Sequence, residues 1–403
     1  MRPAAQRLNV GFCVGVLALL ASAPASAGVE GGHGDSAGAT LVKFAALPAE
    51  TFVSASEPSG SLLGATPVNG ITLPFVDQPI QGFSGIVPNG DATFDVLSDN
   101  GYGAQANSGD FVLRIHRIAP DFATSAIDVV GGINLTDPNH QVPFPLNRAD
   151  RVLTGADFDP ESIIRTADGS YWLGEEFGPF LLHIDRAGRL IQPPVSIPGV
   201  YSPENPLRGD TPANLNPSRG LESLARSPDG RTLYPLLEGT VAGDPPGSLR
   251  MYEFDVATSS YTGRRWTYQL DNPGHSAPDL ITVDANRMLV LERDGAQGDT
   301  AAFKRVFLVD RRHQDNTGAL VKRPVADLLR LSNPQHIGGF ADPFRFPFFT
   351  IETLVLLDNH RVGVLNDNNF PFSAGRTPGR PDNNEFIVIR LDPDLRPDPR
   401  ALH

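Results

Sequence analysis

Residues 161–176 read Glu-Ser-Ile-Ile-Arg-Thr-Ala-Asp-Gly-Ser-Tyr-Trp-Leu-Gly-Glu-Glu. An acid opens an apolar run, a two-residue turn signal follows, and an acid closes the next apolar run. Asp168-Gly169 is the kind of dipeptide that supplies the positive φ of a tight hairpin turn, so the stretch predicts two antiparallel strands. The order recurs four more times along the chain. The openers are Ser84, Glu161, Glu222, Asp279 and Glu352, and the closers are Asp99, Glu176, Glu238, Glu292 and Asp367. Between them lie the turns Asn89-Gly90, Asp168-Gly169, Asp229-Gly230, Ala285-Asn286 and Asn359-His360.

Glu161 with Glu176, Asp279 with Glu292, and Glu352 with Asp367 are equidistant from their turns, so each pair is expected to face across the open end of its hairpin. Opposed side chains on one face of a sheet lie roughly 5 Å apart, where like charges destabilise the pair. A repeated arrangement of this kind calls for a cation or a shared proton.

A further apolar alternation follows each hairpin, at 112–118, 181–184, 249–254, 306–309 and 386–391, which makes four strands per repeat. Gly 40 and Pro 37 are spread along the 403 residues as turns are, and no strong helical periodicity appears. The expected fold is all-β, a β-propeller of five or six four-stranded blades. Long loops are expected at 102–110, 136–150, 202–217, 295–304, 332–348 and 371–384. The last strand, 385–392, lacks a following partner and the first, 41–47, a preceding one, so their pairing is expected to close the ring. A sixth unit would draw on residues 41–80.

The first 27 residues carry Arg2 and Arg7, an apolar stretch from Val10 to Leu20 and the small-residue site Ala25-Ser26-Ala27, the pattern of a secretory signal. The expected organisation is a signal over 1–27, a flexible leader over 28–40 and one domain over 41–403. Secretion or a periplasmic location is expected, with no stable membrane insertion, since no later run approaches the roughly 20 apolar residues of a span. The one cysteine, Cys13, falls within the signal, so the exported chain has neither disulfide nor thiol chemistry. The net charge of −13 disfavours nucleic acid as a partner and suits a cation. A monomer is expected.

In a propeller the first strand of every blade lines a central channel, so openers and closers converge at one mouth. Two carboxylates 5 Å apart repel by roughly 3 kcal/mol at an effective dielectric near 20. Oxygen-only ligands without clustered histidine suit Ca2+, with Mg2+ second and zinc disfavoured. Glu161, Glu222, Glu352, Asp367 and Asp99 are the candidate metal ligands. Glu176, Glu238 and Glu292 are the candidate catalytic bases, and Arg219 and Arg293 the candidate clamp for a substrate phosphate or carboxylate. Neutralising salt bridges are the competing role for both arginines. His183, His275 and His336 stand apart in sequence and read as hydrogen-bonded structural histidines. Gly82-Phe83-Ser84-Gly85-Ile86 is no serine-hydrolase elbow, and phosphate-loop and dinucleotide motifs are absent.

At these same motifs the chain resembles the phytase-like family, "esterase-like activity of phytase", of exported bacterial β-propellers. The matching stretches are Gly82-Phe83-Ser84-Gly85, Asp159-Pro160-Glu161-Ser162-Ile163, Arg219-Gly220-Leu221-Glu222-Ser223-Leu224, Leu291-Glu292-Arg293-Asp294 and Asn366-Asp367-Asn368-Asn369-Phe370. The resemblance implies metal-dependent hydrolysis of a small phosphoester or ester. The scarcity of lysine, with only Lys43, Lys304 and Lys322, argues against phytate itself. Two other readings remain: a non-catalytic propeller whose structural cation supports loops that bind a partner or sugar, and a lactonase drawing also on Asn100 and Asn368.

Overall fold

In the computed structural model, residues 38–392 and 394–402 are described. The expected signal and most of the leader lie outside them. The first strand among the described residues is β1 (Ala39–Leu47), starting two residues ahead of the expected position. A first unit follows as β2 (Gly85–Pro88), β3 (Phe94–Leu97), β4 (Arg114–Asp121) and β5 (Ala126–Asn134), and a second as β6 (Pro160–Arg165), β7 (Tyr171–Glu175), β8 (Phe180–Ile184) and β9 (Val195–Ser196). The third is β10 (Leu221–Arg226), β11 (Thr232–Leu237), β12 (Ser248–Asp255) and β13 (Ser260–Gln269). The fourth is β14 (Ser276–Thr282), β15 (Arg287–Arg293), β16 (Lys304–Gln314) and β17 (Leu320–Asp327), and β18 (Thr350–Leu356), β19 (Arg361–Asp367) and β20 (Asn384–Leu391) end the series.

Three units are separate four-stranded antiparallel sheets. The other strands form one eight-stranded sheet in the order β18-β19-β20-β1-β5-β4-β3-β2. That sheet has two four-stranded halves joined by one parallel bridge, Ala46 with Ala126. In one half β1 runs antiparallel to β20, from Ala39 opposite Leu391 to Leu47 opposite Asn384. The two ends of the described chain therefore complete a fifth unit together, as expected. Residues 48–80 supply no sixth: they hold isolated bridges such as Phe52 with Pro79 and a 3-10 turn at Ser61–Leu63.

The inner strands of the units are largely buried on both faces, because units stack sheet on sheet and each apolar layer is shared by two of them, while outer strands such as β5 and β13 are mostly exposed. Leu97 and Ile115 of the first unit pack with Ile163, Leu173 and Phe180 of the second. Trp172 and Leu181 meet Leu221 and Phe254, Leu249 and Tyr268 meet Leu280 and Val290, and Leu291 and Val306 meet Ile351 and Val364. A fifth layer sets Leu365, Phe386 and Val388 against Ile86, Phe94 and Val96, which returns the series to the first unit. The opening strands β2, β6, β10, β14 and β18 likewise each pack on the next, and β18 packs on β2.

Hydroxyls seal the seams between opening strands. Ser223 Oγ donates to the Ala277 carbonyl at 2.9 Å and Thr353 Oγ1 to the Phe83 carbonyl at 2.7 Å. Between these strands, toward their hairpin turns, lies a small, mostly apolar cavity of about 90 Å³, lined by Ile86, Ile164, Leu224, Leu280 and Leu354 with Leu402 of the C-terminal 3-10 turn. It shares none of the acidic residues.

Candidate functional site

The acids reach the opposite end of the opening strands through a repeated irregularity of pairing. Pro160 pairs with Glu175 and then Ser162 with Gly174, so Glu161 is left out of register. Glu222 is skipped in the same way between Leu221 and Ser223, and Glu352 between Ile351 and Thr353. A β-bulge of this kind re-aims the extra side chain and breaks the strict alternation of faces. The expected face-to-face opposition of Glu161 with Glu176 and of Glu352 with Asp367 is thus replaced by a convergence in which each opener is swung out of its sheet. The closers Glu176 and Glu238 sit one step beyond their strands' pairing: Glu176 N–H donates to the Asp159 carbonyl at 3.0 Å and Glu238 N–H to that of Gly220 at 2.9 Å.

The fourth unit departs from the reading of its hairpin by one residue. Asp279 pairs with Leu291, as Ser162 does with Gly174 and Thr353 with Leu365, so the skipped residues are Ala277 and Pro278. Asp279 consequently occupies the seam position, where its Oδ2 accepts from the Leu354 N–H at 2.7 Å. Glu292 is likewise one residue short, and Arg293, opposite Ser276, takes the closer's place just as Asp367 does opposite Thr350. Four units therefore present a carboxylate as closer and one presents a guanidinium.

Arg293 Nη2 lies 3.1 Å from Glu352 Oε1 and 3.9 Å from Glu222 Oε1 and is buried with them. It is committed to the ring and holds two of its acids. Arg219 instead stands at the rim, with 44% of its side chain exposed and Nη1 2.6 Å from Glu238 Oε2. Ser84 Oγ donates to Glu352 Oε2 at 3.1 Å, and Gln81 Nε2 to Asp99 Oδ1 at 2.8 Å. Glu292 joins none of these groups: it accepts from Tyr268, Asp271, His275 and Lys322.

Asp159 completes the cluster and was not among the expected site residues. Its carboxylate accepts from Asn100 N–H at 3.1 Å and Asn100 Nδ2 at 2.7 Å, and one of its oxygens lies within 4.8 Å of oxygens of Glu161 and Glu176. The signal was present in Asp159-Pro160-Glu161, but counting outward from the turn passes over a residue that stands before the strand. Glu176, Glu222 and Glu238 form a second triad whose oxygens also lie within 4.8 Å of one another, so Glu176 belongs to both. Glu176 Oε1 is buried and has no hydrogen-bond partner.

Burial dominates the electrostatics, and neighbouring negative charge adds to it. It raises Asp99 to about 6. Asp159 reaches about 7 through burial and the charge of Asp99. Glu352 also reaches about 7 through burial, with Arg293 pulling the other way. Glu161, Glu176, Glu222 and Asp367 are pushed well above the usual carboxylate range by burial and then by neighbouring carboxylates, Asp159 foremost for Glu161, Glu238 for Glu176 and Glu222, and Glu352 for Asp367. Such a cluster at neutral pH holds either protons or a cation.

Unit contact at the site is close enough to test. A Cβ built on Gly220 would lie 2.4 Å from both Cα and O of Glu176, which are backbone atoms with no rotamer to yield. Gly220→Ala is expected to cost about 1–3 kcal/mol by urea denaturation.

The family model for phytase-like proteins, described as esterase-like activity of phytase, matches residues 78–370. The chain belongs to this family. An uncharacterized secreted protein of Arthroderma benhamiae is 27% identical over a match covering 36% of each chain, so the chain spans about a third of that relative. Among solved structures, the luciferin-regenerating enzyme aligns over 76% of both chains at TM-score 0.36 and 11% identity. The Dos1 propeller aligns over 78% of this chain and 69% of its own at 0.33 and 10%. An exo-beta-1,3-galactanase of Phanerochaete chrysosporium, solved with galactose, aligns over 82% and 63% at 0.41 and 9%. Similarity at this level carries no inference about chemistry. No helix among the described residues is long and apolar enough to cross a membrane.

Proposed function

We propose that this phytase-like protein is an exported hydrolase of small phosphoesters or esters that depends on a cation, Ca2+ foremost, in the carboxylate cluster at one end of a closed five-bladed propeller. The cyclic packing of the opening strands and the five apolar layers support the ring. The signal pattern over 1–27 and the secreted relative support export.

The observation that carries the reading is Glu176 Oε1, a buried oxygen without a donor at the intersection of two carboxylate triads. An unpaired buried acceptor is costly, and hard oxygen donors gathered from several strands match what Ca2+ takes. Asp159, Glu161, Glu176, Glu222 and Glu238 would hold the ion. When bound, it supplies charge neutralisation of substrate oxygens and a water of lowered pKa. Asp99, Glu352 and Asp367 stand beside the triads as the carboxyls available to hold or move a proton. Arg293 keeps Glu222 and Glu352 in place, and Arg219 meets the substrate at the rim.

The near-complete burial of the cluster favours a second reading, a structural cation in a binding propeller. The two are separated by a panel of p-nitrophenyl phosphate, bis-p-nitrophenyl phosphate, phytate, p-nitrophenyl acetate and a lactone, assayed on metal-stripped protein with and without Ca2+. Calcium-restored turnover of a phosphoester or ester is the expected result. Turnover of the lactone alone moves the reading to a lactonase. No turnover at all, with a calcium-raised Tm, replaces hydrolysis by the structural role.

A further inference from the structure

Beside the carboxylate ring, between the third and fourth units, opens a cavity of about 310 Å³ lined by Asn216, Arg219, Thr240, Leu270, Pro273 and His275, with Glu238 at its inner edge. Glu292 sets which ring nitrogen of the histidine is left to the cavity. Tyr268 Oη and Lys322 Nζ donate to Glu292 Oε2 at 2.8 and 2.6 Å, and Asp271 N–H donates to Oε1 at 2.8 Å. His275 Nδ1 lies 2.9 Å from the same Oε1. With three donors already on this carboxyl group, its oxygens act as acceptors, so Nδ1 is the ring nitrogen that donates to it. The ring rests on Phe303, with centroids 4.3 Å apart, which fixes its plane.

In the neutral ring this leaves Nε2 as the acceptor, without a partner among the described residues. Across the cavity Arg219 uses Nη1 for Glu238 and Ser276 Oγ, the latter at 3.1 Å, while its Nε and Nη2 make no hydrogen bond within the described residues. One wall therefore offers an acceptor and the other offers donors with positive charge. A hydrogen phosphate or phosphomonoester group complements both, since its P–OH donates to Nε2 and its charged oxygens accept from the guanidinium. A carboxylate or a sulfate at neutral pH has no hydrogen for Nε2.

We infer that this cavity is the subsite for the phosphate group of the substrate, with Arg219 and His275 as its binding residues and Glu292 as the positioning residue that fixes the histidine tautomer. The inference rests on the hydrolase reading for its role in turnover, but ligand capture is measured without turnover. Inorganic phosphate and sulfate are titrated separately into the calcium-loaded full chain, following the Cε1–H NMR signal of His275, assigned by its loss in His275→Gln. The expected result is a single phosphate site that shifts this signal, at least tenfold weaker in His275→Gln by calorimetry, with sulfate at least tenfold weaker than phosphate in the wild type. His275→Gln keeps the fold, checked by an unchanged Tm, because the ring sits at a cavity wall. His275→Ala serves as the second variant should the glutamine pair with Glu292 in its own way.

Equal affinity for phosphate and sulfate, or phosphate affinity unchanged in both variants, overturns the subsite. If the panel shows no hydrolysis and His275-dependent phosphate binding persists, the hydrolase reading falls and the subsite stands. If hydrolysis is present and KM for p-nitrophenyl phosphate is unchanged in His275→Gln, the subsite falls and the hydrolase stands.

Discussion

Glu222→Gln is expected to lower calcium-supported hydrolysis more than 100-fold while leaving the metal-free Tm unchanged or higher. Glu222 is the bulge residue of the third unit, 5% exposed, and shares a carboxylate triad with Glu176 and Glu238. Its charge is what a cation would use, and an amide keeps the volume and one oxygen but removes that charge. In the absence of a cation the same charge is a burden. Each like-charged neighbour at 5 Å costs roughly 3 kcal/mol at an effective dielectric near 20, so its removal relieves the metal-free protein. Arg293 keeps its closer partner, Glu352, at 3.1 Å. Activity within tenfold of wild type at saturating Ca2+ would remove Glu222 from the machinery. A large fall in metal-free Tm would assign it a structural role.

The metal-free protein is expected to lose stability as pH rises, by roughly 10 °C in Tm between pH 5 and 8, and Ca2+ should restore most of it at the upper end. The sign follows from raised carboxyl pKa values. Between the unfolded value near 4 and the folded values of about 6 for Asp99 and about 7 for Asp159 and Glu352, the folded chain binds more protons than the unfolded one. The contribution is fully present below the unfolded pKa and is lost as pH passes through the folded one. For Asp159 alone the displacement from 3.8 to about 7 corresponds to roughly 4 kcal/mol. In a domain of this size each kcal/mol moves Tm by about 2–4 °C. A cation substitutes for the protons, so its stabilisation should grow with pH. A residual slope should survive it, because Glu175, raised to about 8, and Asp279, raised well above its usual range, accept from backbone donors and belong to neither triad. Differential scanning calorimetry in chelator and in Ca2+ across this range checks both. A flat Tm in chelator, or a calcium gain independent of pH, contradicts the prediction.

The strand pairs were legible because period-two alternation and turn dipeptides are local signals. Asp168-Gly169 and Asn89-Gly90 announced their hairpins, and β6, β7, β2 and β3 stand where they were expected. The bulges left no such trace. An extra residue in one strand changes which side chain leaves the sheet without changing composition, so symmetric counting from Ala285-Asn286 selected Asp279 and Glu292. The structure puts Pro278 and Arg293 in those positions. A proline just before the expected opener was the one available hint, since it cannot donate to the ladder and sits readily at a bulge. His275 was opaque for a different reason: its meaning comes from Glu292, Phe303 and Arg219, which are brought to it only by tertiary contact.

The pairing of β1 with β20 also governs when the molecule becomes complete. Ala39 finds its partner only when Leu391 has arrived, at the other end of the described chain. The intervening units can form as they emerge, because their hairpins are local, but the last sheet lacks an edge until the final strand is delivered. A chain made from its N-terminus therefore waits with β1 held only by its bridge to β5, and docking of the two ends of the described chain is the late, nonlocal step that completes the row of sheets.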